Sequence, residues 1–133
     1  MRLDRASEEH VRELLDDTEL PRDQLPYTEE FDRLKEAFYD RTFKKLSDSE
    51  FWQILARIGK QGGVRGKKTR DSAPGLSEEQ KELLLRKLPV PIGQTDGLPY
   101  TDKMTKLVAG FNGATGLDLS DRDVWLGVLA LRK

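Results

Sequence analysis

Residues 25–60, LPYTEEFDRLKEAFYDRTFKKLSDSEFWQILARIGK, are followed at a constant spacing of 73 by residues 98–133, LPYTDKMTKLVAGFNGATGLDLSDRDVWLGVLALRK. Laid on one another without a gap, the two stretches share twelve of thirty-six positions. The shared residues are mainly turn formers, cap formers and large apolar groups: Leu25, Pro26, Tyr27, Thr28, Leu34, Phe38, Ser47, Asp48 and Trp52 each find the same residue 73 positions on. A match of that kind speaks to architecture rather than chemistry, because it preserves what shapes a chain while the surface diverges. A weaker echo precedes each stretch, with Ser7-Glu8-Glu9 leading to Leu14-Leu15 and Ser77-Glu78-Glu79 leading to Leu84-Leu85. The expected fold is all-α: a tandem duplication of a three-helix unit, about six helices, packed as one compact body.

The helix starts carry physical signals. Ser47 to Glu50 and Ser77 to Gln80 fit the S-x-x-E/Q capping box, in which two side chains satisfy backbone N–H groups that a helix end otherwise orphans. Leu46 with Phe51, and Leu119 with Val124, stand at the staple positions around such a start. Thr28 and Thr101 follow Leu-Pro-Tyr, where proline favours an extended approach and threonine can cap. The resulting helices run over 6–17, 28–41 and 47–60, then 77–87, 101–112 and 120–132. No segment alternates with the period of two that a strand needs. The organisation expected is a first repeat over 1–59, a basic glycine-rich linker over 60–75 and a second repeat over 76–133.

Helical spacing sets the core. Phe31, Leu34 and Phe38 share one face, Phe51, Leu55 and Ile58 another, and Trp52 lies alongside. An aromatic set can form a ligand pocket, but a small three-helix unit needs its large residues inside, so a packed interior is expected.

The chain has 133 residues, 36% of them hydrophobic and 35% charged, with no cysteine, which excludes disulfides and thiolate metal sites. No apolar run approaches a membrane span, and MRLDRASEEH lacks the apolar stretch of a signal peptide, so a cytoplasmic protein with no membrane contact is expected. His10 is the single histidine, it belongs to no metal-ligand pattern, and exposure in an acidic helix start is expected for it. GGVRGKKT, residues 62–69, misses the phosphate-loop spacing, with three residues before Gly66-Lys67 and Lys68 in place of serine or threonine. Neighbouring acids such as Asp16-Asp17 and Glu29-Glu30 diverge by about 100° around a helix and make poor acid–base pairs. The expectation is a protein that is not an enzyme, with no catalytic residue, no metal and no cofactor.

Charge is the feature with functional content. Residues 1–59 sum to minus five, residues 60–70 (KQGGVRGKKTR) to plus five, and residues 71–133 to minus one. Lys60, Arg65, Lys67, Lys68 and Arg70 can displace counterions from a DNA or RNA phosphate backbone, and the glycines among them permit close approach; the alternative is a solvated linker. The third helix of the first repeat adds a polar to basic row off its aromatic face, Ser49, Gln53, Arg57 and Lys60, of the kind a helix-turn-helix recognition helix presents to a groove. In the second repeat the same row reads Arg122, Leu126, Ala130 and Lys133, and residues 124–131 are apolar on nearly every side. A helix of that kind must be covered, by the first repeat, by a protein partner or by self-association, and Leu126 and Ala130 are the candidate contacts.

Two function classes follow: nucleic-acid binding through Gln53, Arg57, Lys60 and the basic segment to Arg70, or a non-catalytic adaptor or structural subunit docking through the last helix. A pI near 5.9 and the five-residue stretch 42–46 between the second and third helices, longer than the usual 3–4-residue turn, weigh against the first. Charge segregation in an otherwise acidic chain weighs for it. Tandem three-helix units with tryptophans, Trp52 and Trp125, resemble Myb-type DNA-binding repeats in outline. The longer period, the single tryptophan per copy and the LPYT and LSD turns depart from that pattern, and no family is assigned on it.

Overall fold

The structure, a computed structural model, describes residues 4–18, 22–62 and 73–132, with the backbone alone for 59–62. All regular structure among them is helical: α1 (Arg5–Asp17), α2 (Glu29–Thr42), α3 (Asp48–Gly62), α4 (Glu78–Lys87), α5 (Asp102–Thr115) and α6 (Asp121–Leu131), with short 3₁₀ helices at Arg22–Gln24 and Ile92–Gly97. Where one compact body is expected, the chain divides into two compact units, Met1–Arg70 and Asp71–Lys133.

In the first unit α1 packs on both α2 and α3. The side chains at the helical spacing of the sequence meet here. Phe51 of α3 stands edge-on to Phe31 of α2 at 5.4 Å and beside Phe38 at 5.6 Å. Phe31, Phe51, Trp52 and Leu55 are fully buried, and Leu34, Phe38 and Ile58 nearly so. The aromatic set is therefore the core, as its helical spacing requires, and α1 closes it with Val11, Leu14 and Leu15. In the second unit α4, α5 and α6 pack on one another around Trp125, Phe111, Met104, Leu84 and Val128.

Local geometry recurs 73 residues apart, down to individual hydrogen bonds. Tyr27 and Tyr100 both take left-handed backbone, φ 65° and 64°. Each turn is closed by the following threonine: Thr28 Oγ1 donates to the Leu25 carbonyl and Thr101 Oγ1 to the Leu98 carbonyl, both at 2.6 Å. The same oxygens accept from the helix, from Phe31 N at 3.1 Å and Met104 N at 3.3 Å. At the far ends, Thr42 and Thr115 each donate to a carbonyl one turn back at 2.8 Å. The next residue turns left-handed in both, Phe43 with φ 58° and Gly116 with φ 75°. The following starts are capping boxes: Ser47 with Glu50, Ser77 with Gln80, and Ser120 with Asp123. The last escapes the S-x-x-E/Q pattern because Asp123 stands where the pattern has a longer acid or amide.

The 3₁₀ helices, absent from the sequence expectation, secure the last helix of each unit by different chemistry. In the first, Arg22 of the turn donates to the Ala56 carbonyl of α3 at 2.7 Å. In the second the guanidinium comes from the helix end instead, Arg132 pairing with the Asp96 carboxylate of the turn at 2.9 Å.

Candidate nucleic-acid interface

Helix α3 begins at a capping box in which Glu50 N donates to Ser47 Oγ at 3.1 Å and Ser47 N to Glu50 Oε1 at 3.0 Å. The Ser47 N–H bond holds the Glu50 carboxyl below its ordinary pKa. With Phe51, Trp52, Leu55 and Ile58 turned into the core, helical spacing leaves Ser49, Gln53 and Arg57 on the outer side. Gln53 is exposed and donates to Ser49 Oγ at 3.4 Å. Arg57 is half-exposed, and its guanidinium meets Glu8 of α1 at 3.2 Å. Gln53 and Arg57, with Glu50 and Ile54, line a shallow depression of about 180 Å³.

The structure thus brings Gln53 and Arg57 together. Lys60 belongs to α3 by its backbone, which continues to Gly62, while its side chain and all of Arg65, Lys67, Lys68 and Arg70 lie outside the described residues.

The start of α1 borders this surface and gathers a second cation that the sequence does not single out. Asp4 caps α1 by accepting from Ser7 N at 2.8 Å, and Lys44 reaches both Asp4, at 3.5 Å, and Ser7 Oγ, at 3.1 Å. Hydrogen bonds from Ser7, with the Lys44 charge nearby, hold the Asp4 carboxyl below its ordinary pKa. Arg57 on Glu8 and Lys44 on Asp4 therefore converge on one helical turn.

Beside Lys44 opens a cavity of about 510 Å³ between α2 and the segment that joins it to α3. Tyr39, 45% exposed, lines it, and the ring of Phe43, 80% exposed, stands against Tyr39 with centroids 6.4 Å apart and planes at 79°. Neither is distinguishable by residue type from the aromatics of the core. What separates them is phase: Tyr39 falls off the Phe31-Leu34-Phe38 stripe, and Phe43 lies past the helix end.

Of the two candidate partner contacts on α6, Leu126 is 5% exposed and Ala130 is exposed. The whole run from Val124 to Leu129 is buried, so the apolar helix is covered to that extent within the chain itself. Gly127 packs closely here, since a Cβ there would come within 3.3 Å of the Leu84 side chain, which would have to give by a few tenths of an ångström.

His10, expected at the surface, is half-buried, and its Nδ1 is buried without a hydrogen-bond partner among the described residues. Among those residues no three His, Asp or Glu side chains are grouped to hold a metal, and no helix is long and apolar enough to cross a membrane. Compared with protein-family models, curated proteins and solved structures, the chain matches none.

Proposed function

We propose that this chain is a non-catalytic nucleic-acid-binding protein whose first unit makes the contact. Gln53 and Arg57 of α3 meet the ligand in a helix-turn-helix-like manner, and Lys60, Arg65, Lys67, Lys68 and Arg70 follow its phosphate backbone. The observation that carries this reading is the continuation of α3 through Lys60 to Gly62. The one strongly basic segment of an acidic chain thereby begins on the helix that leaves Gln53 exposed and Arg57 half-exposed. Cations so placed gain by releasing counterions from DNA or RNA, and Arg57 can exchange the Glu8 carboxylate for a phosphate at small cost, because surface ion pairs are worth little.

The recurrence at 73 residues supports reading the two units as copies of one three-helix unit with divided roles. The first keeps a polar outer row on its last helix. The second has turned that helix into packing, with Leu126 buried at the position of Gln53. The adaptor reading needs Leu126 and Ala130 on a free surface, and with Leu126 buried the geometry favours the nucleic-acid reading.

Fluorescence anisotropy with labelled duplex DNA and single-stranded RNA at two salt concentrations tests the proposal. Binding that weakens with salt and is lost when Lys60, Arg65, Lys67, Lys68 and Arg70 are changed to glutamine is expected. Failure of the native chain to bind either probe at low salt would overturn it.

A further inference from the structure

We infer that Tyr39 and Phe43, together with Lys44 and Lys45, form a platform on which an unpaired nucleobase stacks. The nucleic acid is then single-stranded where it crosses this surface. The inference rests on the nucleic-acid reading above and adds the chemical form of the ligand.

Phe43 occupies a position the fold does not want a phenylalanine in. It ends α2 with φ 58° and ψ 19°, left-handed backbone that glycine adopts freely and bulky residues resist. The second unit puts Gly116 at the corresponding helix end. The closing hydrogen bond there is a backbone one in both units, Phe43 N to Tyr39 O at 2.7 Å and Gly116 N to Asn112 O at 2.8 Å, so the ring contributes nothing to it. Nor does the ring serve the core, being 80% exposed. A large apolar ring kept in water on a strained backbone is the pattern found where strain accompanies function.

The surroundings point to a base rather than to an apolar side chain of a protein. Tyr39 holds Phe43 edge to face while much of both rings stays open. The adjoining cavity of about 510 Å³ is ample for a base and its sugar, and Lys35, Lys44 and Lys45 stand on its rim. Lys35 pairs with Asp48 and Lys44 with Asp4, whereas Lys45 is exposed and makes no ion pair among the described residues. Asp32 and Glu36 on the same rim are acceptors suited to the exocyclic amino groups of bases.

The comparison between units strengthens the choice. Tyr39, Phe43, Lys44 and Lys45 correspond to Asn112, Gly116, Leu117 and Asp118, so rings and cations are present together in one unit and absent together in the other. A hydrophobic protein contact calls for the rings alone. A stacked base with its phosphate calls for both. The shared attachment of Lys44 and Arg57 to the first turn of α1 sets the platform beside the outer row of α3.

The test compares the native chain with Phe43→Gly and Tyr39→Ala, titrated against labelled oligothymidylate and a duplex of equal length. Phe43→Gly should weaken single-strand binding about tenfold. It should change duplex binding less than about twofold and leave the salt dependence as it was, because stacking displaces no counterions. Melting followed by circular dichroism should show no loss of stability, which separates lost stacking from lost folding. Single-strand binding unchanged by Phe43→Gly, or a native chain that binds duplex alone, would overturn the inference and leave the basic-segment reading standing. A native chain that binds neither probe would remove both. Sedimentation showing self-association that Phe43→Gly abolishes, with no oligonucleotide bound, would assign the patch to a protein contact instead.

Discussion

Replacing Phe43 by glycine and, separately, by alanine should separate backbone strain from side-chain contact at the end of α2. A left-handed conformation costs a residue with a Cβ about 1–2 kcal/mol. Glycine escapes that cost but loses about 0.4–1 kcal/mol through the greater freedom of the unfolded chain. Both replacements remove the edge-to-face contact with Tyr39, which for rings 45% and 80% exposed is worth at most about 0.5 kcal/mol. The glycine variant should therefore be level with the native chain or more stable by up to about 1 kcal/mol. Alanine keeps the strain and loses the contact, so it should fall below native by up to about 0.5 kcal/mol. The contact cancels between the two variants, so their difference is the strain less the unfolded-state freedom, about 0.8 kcal/mol in favour of glycine at the middle of those ranges, and is measured by urea denaturation followed by circular dichroism. An alanine variant as stable as the glycine variant would refute the argument and remove the strain from the case for a stacking site.

Other perturbations test the packing and the caps. Trp52→Ala empties a fully buried site and should cost about 3–5 kcal/mol, read as a large drop in the melting temperature of the first unit; an unchanged melting curve would sink the core assignment. Ser47→Ala and Ser120→Ala each remove the hydroxyl half of a capping box, leaving the backbone N–H half in place, and should each cost about 1 kcal/mol, measured as a shift of the urea midpoint. The Asp4 and Glu50 carboxyls have folded-state pKa values below their ordinary ones. Their stabilisation is present above the ordinary carboxylate range and is lost as pH falls through the lowered values. Thermal melts between about pH 7 and pH 3 should show a decline that Asp4→Asn together with Glu50→Gln makes shallower.

Much of the fold was legible because helix starts and apolar stripes are local signals. Ser47-Asp-Ser-Glu50 announces a capped helix, and Phe31, Leu34 and Phe38 announce its neighbour's buried face, without reference to anything distant. The left-handed tyrosines were not legible. Leu-Pro-Tyr-Thr reads as an extended approach because proline restrains Leu25 and Leu98, and nothing local requires Tyr27 and Tyr100 to turn to φ 65° and 64°. Threonine bonded back to the leucine carbonyl stabilises that turn, a contact visible only once it has formed. The burial of α6 lay beyond the sequence for a related reason. Its apolar run shows that a cover is needed, but only packing shows that Leu84 of α4 lies against Gly127 and supplies part of it.

The candidate site divides the same way. Gln53 and Arg57 are legible by phase, since they lie opposite the Phe51-Leu55-Ile58 stripe, while Trp52, Ile54 and Ala56 flank it and are buried. Phe43 and Tyr39 are less legible, because an aromatic residue in a small helical unit is read first as core, and Lys44 carries no local signal of its own. Phase separates Tyr39 and Phe43 from the core stripe, and exposure shows the result, Phe38 being 1% and Phe43 80% exposed. The signal that could have found it is the pairing of Phe43 with Gly116 at a spacing of 73, where one unit has the residue the backbone prefers and the other does not.

The most direct test of the central claim is the slope of log binding constant against log salt concentration, for the native chain and for the variant with Lys60, Arg65, Lys67, Lys68 and Arg70 changed to glutamine. Those five phosphate contacts contribute about −3.5 to the slope on a single strand or about −4.5 on a duplex, so the variant should bind more weakly and with a slope shallower by about that amount, Arg57, Lys44 and Lys45 supplying what remains. Equal slopes for the two chains, or no binding by the native chain at low salt, would contradict the account.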